Sequence, residues 1–492
     1  MKLQETSAPD IPAQNTLVIM ADEHSPKMLG CAGHALVQTP HFDALAARGT
    51  RFARAYTPCP ICVPARAAFA TGRYVHELGF WDNSMGYDGR VQGWGHRLQA
   101  AGIRNESIGK LHYRHETDPV GLDKQYIPMH IKDGVGMVHL SIRRQYPDFI
   151  PTIKSSGIIA AAGCGESEYT RYDRKVAKLA CEWLAEAAKR EERWVLFVSF
   201  VAPHFPLVAP EEFFSLYPVA DMPLPKAGVG SDFRPHPWLA DFIRTTAADQ
   251  HSAQQHRTAA AAYLGLCSFV DAQIGLVLEA LQQHGLAGST RVIYTSDHGE
   301  NAGARMLWGK SNHYEESSGI PLIIAGDGIP NRVSHTPVNL IDVHPTILHS
   351  TGLAHGTDGT PGTSLIALAA ADDDPDRVAF SEYHAARSPS ASFMVRKGRY
   401  KLIHYVGFAP ELFDLDTDPE EQNDRAASPN HQGVLRDLER CLREIVDPQA
   451  VDRAANAAQK ALVDSRGGPA AVMANLVTTK AYTPVPGEFL RE

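Results

Sequence analysis

A mostly parallel α/β sheet flanked by helices, followed by a smaller C-terminal α+β subdomain, is the fold class this sequence predicts, and three observations predict it. Short apolar runs rich in β-branched residues alternate with longer runs of helical period, the pattern of βα units rather than of hairpins. Four residues able to do chemistry, Asp22, Lys110, His204 and Asp297, each follow a strand-like run, and open α/β sheets gather their ligands at the carboxyl ends of strands. After the acidic stretch Asp372-Asp373-Asp374-Pro375 the runs become short and alternating, as in antiparallel strands.

The first strand is Leu17-Val18-Ile19-Met20, ending in Ala21-Asp22-Glu23. Thr39-Pro40 offers a cap and a first-turn proline for a helix through Phe42, Leu45 and Ala46, with Gly49 as its stop. Pro64 suits the first position of a further helix and Gly72 its end. A helix from about Arg174 to Lys189 sets Val176, Leu179, Ala180, Trp183 and Leu184 on one stripe and leads into the run Trp194 to Phe200. A longer one, about Gln255 to His284, ends at Gly285 before the strand Arg291 to Thr295, and Ile320 to Ile324 is the next strand. Phe393 to Val395, Tyr400 to Ile403 and a helix around Val434 to Val446 build the smaller subdomain. Asp118 to Thr170 and Tyr217 to Ser252 lack a period and read as walls of a substrate pocket. The expected division is a catalytic domain 1–375, a subdomain 376–465 and a tail 466–492 whose apolar residues, among them Val472, Val485 and Phe489, suit packing across a second subunit.

Composition excludes several classes. At 492 residues and 44% hydrophobic content the chain can bury a large core. Its 47 basic residues against 56 acidic ones, a formal charge of −9, argue against a nucleic-acid surface while leaving room for a local cationic pocket. No charged head followed by an apolar core opens the chain, and no apolar run reads as long enough to cross a bilayer, so no membrane partner is expected. Seven cysteines without a framework spacing favour a reducing compartment, the cytoplasm.

The most informative stretch is Cys62-Val63-Pro64-Ala65-Arg66. A cysteine just ahead of a helix N-terminus faces free N–H groups and the positive end of the macrodipole, which makes it an unusually reactive thiol at an anion site. Arg66, one turn in, adds a rigid fork of donors for a tetrahedral oxyanion. Cys59-Pro60-Ile61-Cys62 is also a Cys-x-x-Cys, the spacing of a redox centre or half a zinc site, but that reading leaves Arg66 without a role and the other cysteines form no second pair.

Cys-x-Pro-x-Arg continued by Thr71-Gly72-Arg73 resembles the signature of type I sulfatases and their phosphonate monoester hydrolase relatives, members of the alkaline phosphatase superfamily. Gly109-Lys110-Leu111-His112, Ala202-Pro203-His204-Phe205-Pro206, Trp308-Gly309-Lys310 and Tyr314-Glu315-Glu316 resemble further elements of that family in its order, and Leu412-Phe413-Asp414-Leu415 resembles its C-terminal subdomain. The resemblance implies an alkaline-phosphatase-like fold, and conversion of Cys62 to formylglycine by a formylglycine-generating enzyme. It also implies one divalent metal held by Asp22, Asp297, His298 and residue 62, with Glu23 as a further ligand. His298 stands where many sulfatases carry asparagine, which shifts preference toward manganese without excluding calcium. Phosphonate hydrolases and choline-sulfatase-like enzymes share that histidine, and an asparagine at the position of Asn83, taken as substrate-binding.

The chemistry implied is attack by a formylglycine hydroxyl on sulfur, helped by Asp297, with Arg66, Lys110 and Lys310 holding the nonbridging oxygens. His204, assisted by Lys310, protonates the leaving alcohol, and His112 is the base that lets sulfate go. His313 and His115 have no assignment, and His313 reads as a surface or wall residue. The first reading is thus a sulfuric ester hydrolase for an aryl or small alkyl sulfate, expected as a homo-oligomer; a phosphonate monoester or phosphodiester hydrolase is the second; a redox or metal-binding protein using Cys59 and Cys62 is the third.

Overall fold

Side chains pointing alternately to opposite faces explain why the first strand, β1 (Asn15–Asp22), is apolar throughout: Leu17, Ile19 and Ala21 join one core cluster while Val18 and Met20 join another. The computed structural model describes residues 12–147, 149, 156–225, 232–246, 251–356, 359–385, 388–476 and 483–487. Its main sheet comprises β1, β2 (Gly49–Phe52), β3 (Arg104–Lys110), β4 (Lys124–Met129), β5 (Trp194–Pro203), β6 (Thr290–Ser296), β7 (Leu322–Ala325) and β8 (Arg332–Ser334). The spatial order is β8-β2-β7-β6-β1-β5-β3-β4, and β7 alone runs against its neighbours. The mostly parallel α/β class is therefore what the chain adopts.

Helix α1 is Pro40–Ala46, α2 Cys62–Thr71, α3 Glu168–Ala187, α4 Pro237–Thr246 and α5 Ala253–Gln283. On one face Val176, Ala180 and Leu184 of α3 and Phe269 and Ile274 of α5 pack with Leu17, Ile19 and Leu196; on the other Ala67 and Phe69 of α2 pack with Val18, Val195 and Phe197. Burying each large apolar side chain in these layers contributes about 1.5 to 3 kcal/mol.

The smaller subdomain is an antiparallel sheet in chain order, β9 (Val378–Tyr383), β10 (Ser392–Lys397), β11 (Tyr400–Tyr405) and β12 (Glu411–Asp414). Helix α6 (Gln432–Ile445) lays Leu438, Cys441 and Leu442 over Phe380, Val395 and Leu412. The opposite face packs Tyr383, Ile403 and Tyr405 against Trp81, Trp238 and Tyr314.

Five features depart from the sequence reading. Gly49 opens β2 instead of stopping α1; any Cβ there would lie 2.2 Å from the Ile324 carbonyl oxygen, so the glycine serves a close strand contact. β4 arises inside the first long irregular stretch. The second stretch holds α4, whose Trp238 and Phe242 pack into the interface with the small sheet. Two more helices, α7 (Pro448–Ser465) and α8 (Gly468–Leu476), follow α6; Asp447 caps α7 by accepting from the Gln449 and Ala450 amides, with Pro448 in the first turn. Finally, α5 at 31 residues is long and apolar enough to cross a membrane, against the reading that no run was; its most apolar window is 83% buried in the fold, as a core helix is.

Ion pairs, each with at least one buried member, stitch the small sheet together and tie it to segments of the main domain. Lys401 on β11 meets Glu315 at 2.9 Å and Glu421 at 2.8 Å, and Glu382 on β9 meets His76 Nδ1 at 2.9 Å and His384 Nε2 at 2.8 Å. Burial alone would raise the Glu382 carboxyl, but His76 and His384 outweigh it and hold it at about 2, against 4.5. A depressed carboxyl contributes its stability above 4.5 and loses it as pH falls toward 2, here on the order of 3 kcal/mol. His76, raised by the same contact, contributes below 6.5 and loses its share as pH climbs through its raised value. Glu382→Gln is expected to be less stable than wild type at pH 5 and to fall less between pH 5 and 3 in urea unfolding. Equal slopes for the two proteins would reject the coupling.

Candidate active site

Strand ends deliver the polar groups. β1 finishes at Asp22, and Glu23 then takes a φ of +66°, a left-handed turn that β-strand ends rarely hold without constraint. β3 finishes at Lys110, β5 at Pro203 just before His204, and β6 just before Asp297. α2 begins at Cys62 itself, with Ile61 as N-cap, so that Pro64 is its third residue and the helix starts two residues earlier than the proline suggested; Gly72 closes it in the left-handed conformation.

Four donors converge. Cys62 Sγ is 3.2 Å from His298 Nε2 and 3.7 Å from Asp22 Oδ1; His298 Nε2 is 3.8 Å from Asp22 Oδ1 and 3.6 Å from Asp297 Oδ1. All four residues are buried. Edges of about 3 to 4 Å are those of ligands each roughly 2.0 to 2.6 Å from one shared centre. His298 Nδ1 pairs with the Gly299 carbonyl, which aims Nε2 inward as metal-binding imidazoles require. Burial would lower the His298 pKa, yet Asp297 and Cys62 push it up to about 9. These residues fit a divalent metal.

Arg66 does not project its fork at a ligand. Nε donates to Asp297 Oδ2 at 2.8 Å, Nη2 to Asp22 Oδ2 at 3.2 Å, and Nη1 to the Lys110 carbonyl at 2.7 Å and Ser199 Oγ at 3.0 Å. With four of its five N–H groups engaged, Arg66 aligns the two carboxylates. Lys110 Nζ is 2.6 Å from Asp22 Oδ2. Burial would raise Asp22, but Lys110, His204, Arg66 and His298 hold it well below the usual carboxylate range. Asp297 goes the other way, pushed up to about 6 by burial and by the charge of Asp22. The Cys62 thiol, which burial and Asp22 would raise, is held well below 9.0 by Lys310, His298 and Lys110.

Glu23 stands beside this cluster and not in it. Its turn directs Oε2 to Lys310 Nζ at 2.7 Å and His204 Nε2 at 3.2 Å. It joins Asp22 and His204 in a second group of metal-capable side chains, which shares Asp22 with the Cys62 cluster. Its neighbour is Glu300, whose carboxyl is pushed well above its usual range by burial and by the Glu23 charge, while accepting from the Ala302 and Gly309 amides. His204 gives its Nδ1 to the Phe205 carbonyl at 2.6 Å and stacks on the Phe205 ring. Nδ1 is thus tied to a carbonyl while Nε2 faces the site, an orientation that a general acid can use. Lys310, which burial would lower, is kept charged by Cys62, Glu23 and Asp22.

Asn83 Oδ1 accepts the Val63 N–H at 3.0 Å, so its carbonyl anchors the first turn of α2 while the residue lines a cavity of 330 Å³ beside Cys62. That cavity is also lined by His112, Lys132, His139, Arg466 and Thr483, so the first irregular stretch does supply a wall. Burial and Lys110 push His112 down to about 3, leaving a neutral ring. His313 is neither surface nor wall: it is 1% exposed, beneath the small sheet and beside Ser392, and burial pushes it down to about 3. His115 lies on the surface, its Nδ1 2.9 Å from Thr117 Oγ1. Cys59 is buried, free and pushed well above 9.0 by burial, Glu382 and Asp82, the opposite of Cys62, which removes the basis for a redox pair. Of the tail, Thr483 and Val485 are buried within this chain, and Phe489 lies outside the described residues.

Sequence reasoning missed Ser199, Glu300, Thr483 and Asp173. Asp173 lies on α3 and accepts from the Val201 and Ala202 amides at 2.8 and 2.7 Å, fixing the strand end ahead of His204. Burial, opposed by these donors, pushes it up to about 7. One signal was present: Asp173 sits three residues before Val176, a charge on the apolar stripe.

Comparison with known proteins agrees with the geometry. The family profile described as Sulfatase matches residues 14–353, and that described as N-sulphoglucosamine sulphohydrolase, C-terminal, matches residues 303–447. A choline-sulfatase of Rhizobium meliloti (strain 1021) is 29% identical over 440 residues, 84% of this chain and 83% of that protein. Arylsulfatase K of Danio rerio is 27% identical, covering 89% of this chain and 85% of its own. The structure of a phosphonate monoester hydrolase from Silicibacter pomeroyi superposes with a TM-score of 0.70 at 25% identity, over 88% of this chain and 94% of that one.

Proposed function

The chain belongs to the sulfatase family and is a sulfuric ester hydrolase; we propose that it cleaves a small sulfate monoester whose leaving group is hydroxylated or anionic. The observation that carries the reaction is the convergence of Cys62, Asp22, Asp297 and His298 at the carboxyl end of the parallel sheet. The family implies a divalent metal and a formylglycine at its signature cysteine; manganese or calcium held by Asp22, Asp297, His298 and residue 62 is our assignment. Bound there, the ion supplies Lewis-acid polarisation of the ester oxygens. Formylglycine at position 62, made by a formylglycine-generating enzyme, supplies a hydroxyl nucleophile.

The chain's own groups do the rest. Arg66 holds Asp22 and Asp297 in register, and Lys110 and Lys310 set positive charge around the ester. His204, oriented by Phe205 and Glu23, gives its Nε2 proton to the departing alcohol oxygen. His112 serves residue 62 as base. Homo-oligomerisation and a cytoplasmic location are also proposed; all seven cysteines are free, as a reducing compartment keeps them.

The leaving-group preference rests on the 330 Å³ cavity. Lys132, His139 and Arg466 line it against one acid, Asp133, and among the described residues no aromatic ring besides the histidines lines it. A quaternary ammonium group is favoured by aromatic faces and an excess of carboxylates, whereas this wall sets a single carboxylate against two basic side chains, Lys132 and Arg466. Hydrolysis of phosphonate monoesters or phosphodiesters is the second reading, favoured by His298 in the cluster. A kcat/KM panel separates them: an acidic or polyhydroxylated sulfate ester is expected to exceed choline sulfate by tenfold or more and to exceed every phosphorus ester. Preference for choline sulfate would overturn the leaving-group reading, and a phosphonate monoester at the top would install the second.

A further inference from the structure

Thr483 is buried, and its Oγ1 stands 2.8 Å from His112 Nε2. Its carbonyl accepts from the Tyr169 hydroxyl of α3 at 2.5 Å, and two residues later Val485 is 3% exposed within the core cluster that α3 helps to build. The threonine is thus fixed on both sides, by a hydrogen bond to its own carbonyl and by an apolar anchor. His112 follows β3 with a φ of +55°, a constrained backbone that sets the direction of its ring. The ring lies beside Cys62, and its Nδ1 is buried without a hydrogen-bond partner. Both His112 and Thr483 line the cavity that reaches Val63 of α2. In a neutral imidazole one nitrogen carries the proton and the other the lone pair, and the partner of one decides the state of the other.

We propose that Thr483 is a positioning residue for the hydrolysis: its hydroxyl oxygen accepts the Nε2–H of His112, which leaves the Nδ1 lone pair facing residue 62. This rests on the reading of His112 as the base that frees sulfate. In that step Nδ1 takes the proton of the remaining hydroxyl on residue 62, the carbonyl double bond re-forms, and the carbon–oxygen bond to sulfate breaks with its electron pair leaving on sulfate. The proton then passes from His112 to water. A ring turned to the other tautomer has an N–H where the lone pair is needed and cannot take that proton.

Thr483→Val removes the hydroxyl and keeps the branched shape; Thr483→Ser keeps the hydroxyl. Losing the partner that orients an imidazole is expected to lower kcat by about 10- to 100-fold. Release of the first equivalent of alcohol should change less than twofold, and sulfate should accumulate on the peptide containing residue 62 in rapidly quenched samples. Thr483→Ser should restore turnover and clear the adduct. Nitrogen-15 NMR of histidine-labelled protein gives a readout apart from activity: the wild-type His112 signal should be that of the Nε2–H tautomer, and Thr483→Val should shift it. Wild-type kcat without adduct in Thr483→Val, or equal slowing of both steps, would overturn the assignment. Mixing Thr483→Val with His112→Ala tests the strap's origin, because recovered activity would mean that Thr483 serves a neighbouring copy and not its own chain. If His112→Ala itself turns over at the wild-type rate, the role given to His112 falls, and not merely that of Thr483.

Discussion

Asp297→Asn is expected to lose its metal, its turnover and part of its stability together. The carboxylate accepts from Arg66 Nε at 2.8 Å and from the Glu23 and His298 amides at 3.2 and 3.0 Å, and stands 3.6 Å from His298 Nε2. An amide in its place removes one negative charge from a cluster whose pull on a divalent ion is that charge. It also turns an N–H face toward either the ion or the guanidinium. Arg66 is 1% exposed, so the lost partner leaves a buried charge half compensated, which costs about 3 to 5 kcal/mol. Turnover should fall by on the order of a thousandfold or more, since electrostatic support of the transition state and the alignment of Asp22 are lost at once. Metal content by elemental analysis, kcat, and urea unfolding of the holoenzyme measure the three. Normal metal content with normal turnover would remove Asp297 from the site; normal metal content with lost stability would make it a structural partner of Arg66 alone.

What was legible in the sequence were features whose cause is local. Strand runs such as Trp194 to Phe200 and the stripe of α3 declare themselves because burial imposes a period on neighbouring residues. The residues at strand ends were equally legible, because a parallel sheet must deliver them to one edge. Arg66 shows where that reasoning stops. Its presence near Cys62 could be read, but its direction is set by Asp22, Asp297 and Ser199, which arrive from three different strands. The direction of Glu23 was hidden for a similar reason: a positive φ, invisible in a residue type that seldom adopts it, turns its carboxylate to Lys310. Thr483 offered no signal, since its partners His112 and Tyr169 lie 371 and 314 residues away.

His112→Ala is expected to separate the two halves of the reaction. Departure of the alcohol requires a nucleophile on residue 62, positive charge from Lys110 and Lys310, and a proton from His204, and none of these passes through His112. The His204 ring is held by Glu23 and Phe205, so its proton delivery survives the substitution. One enzyme equivalent of alcohol should therefore leave in a burst. Breakdown then lacks the neutral ring that burial and Lys110 hold ready to accept a proton, and general-base assistance of this kind is worth about 10² to 10⁴-fold. Steady-state turnover should fall by that factor, with sulfate retained on the peptide containing residue 62. The small side chain opens space beside Thr483, so exogenous imidazole should restore part of the rate by filling the vacated position. A burst of unchanged size with slow turnover and imidazole rescue assigns the second proton transfer to His112. Loss of the burst itself would mean that His112 acts before the alcohol leaves, and the order of proton transfers derived from Glu23, His204 and Lys310 would have to be reversed.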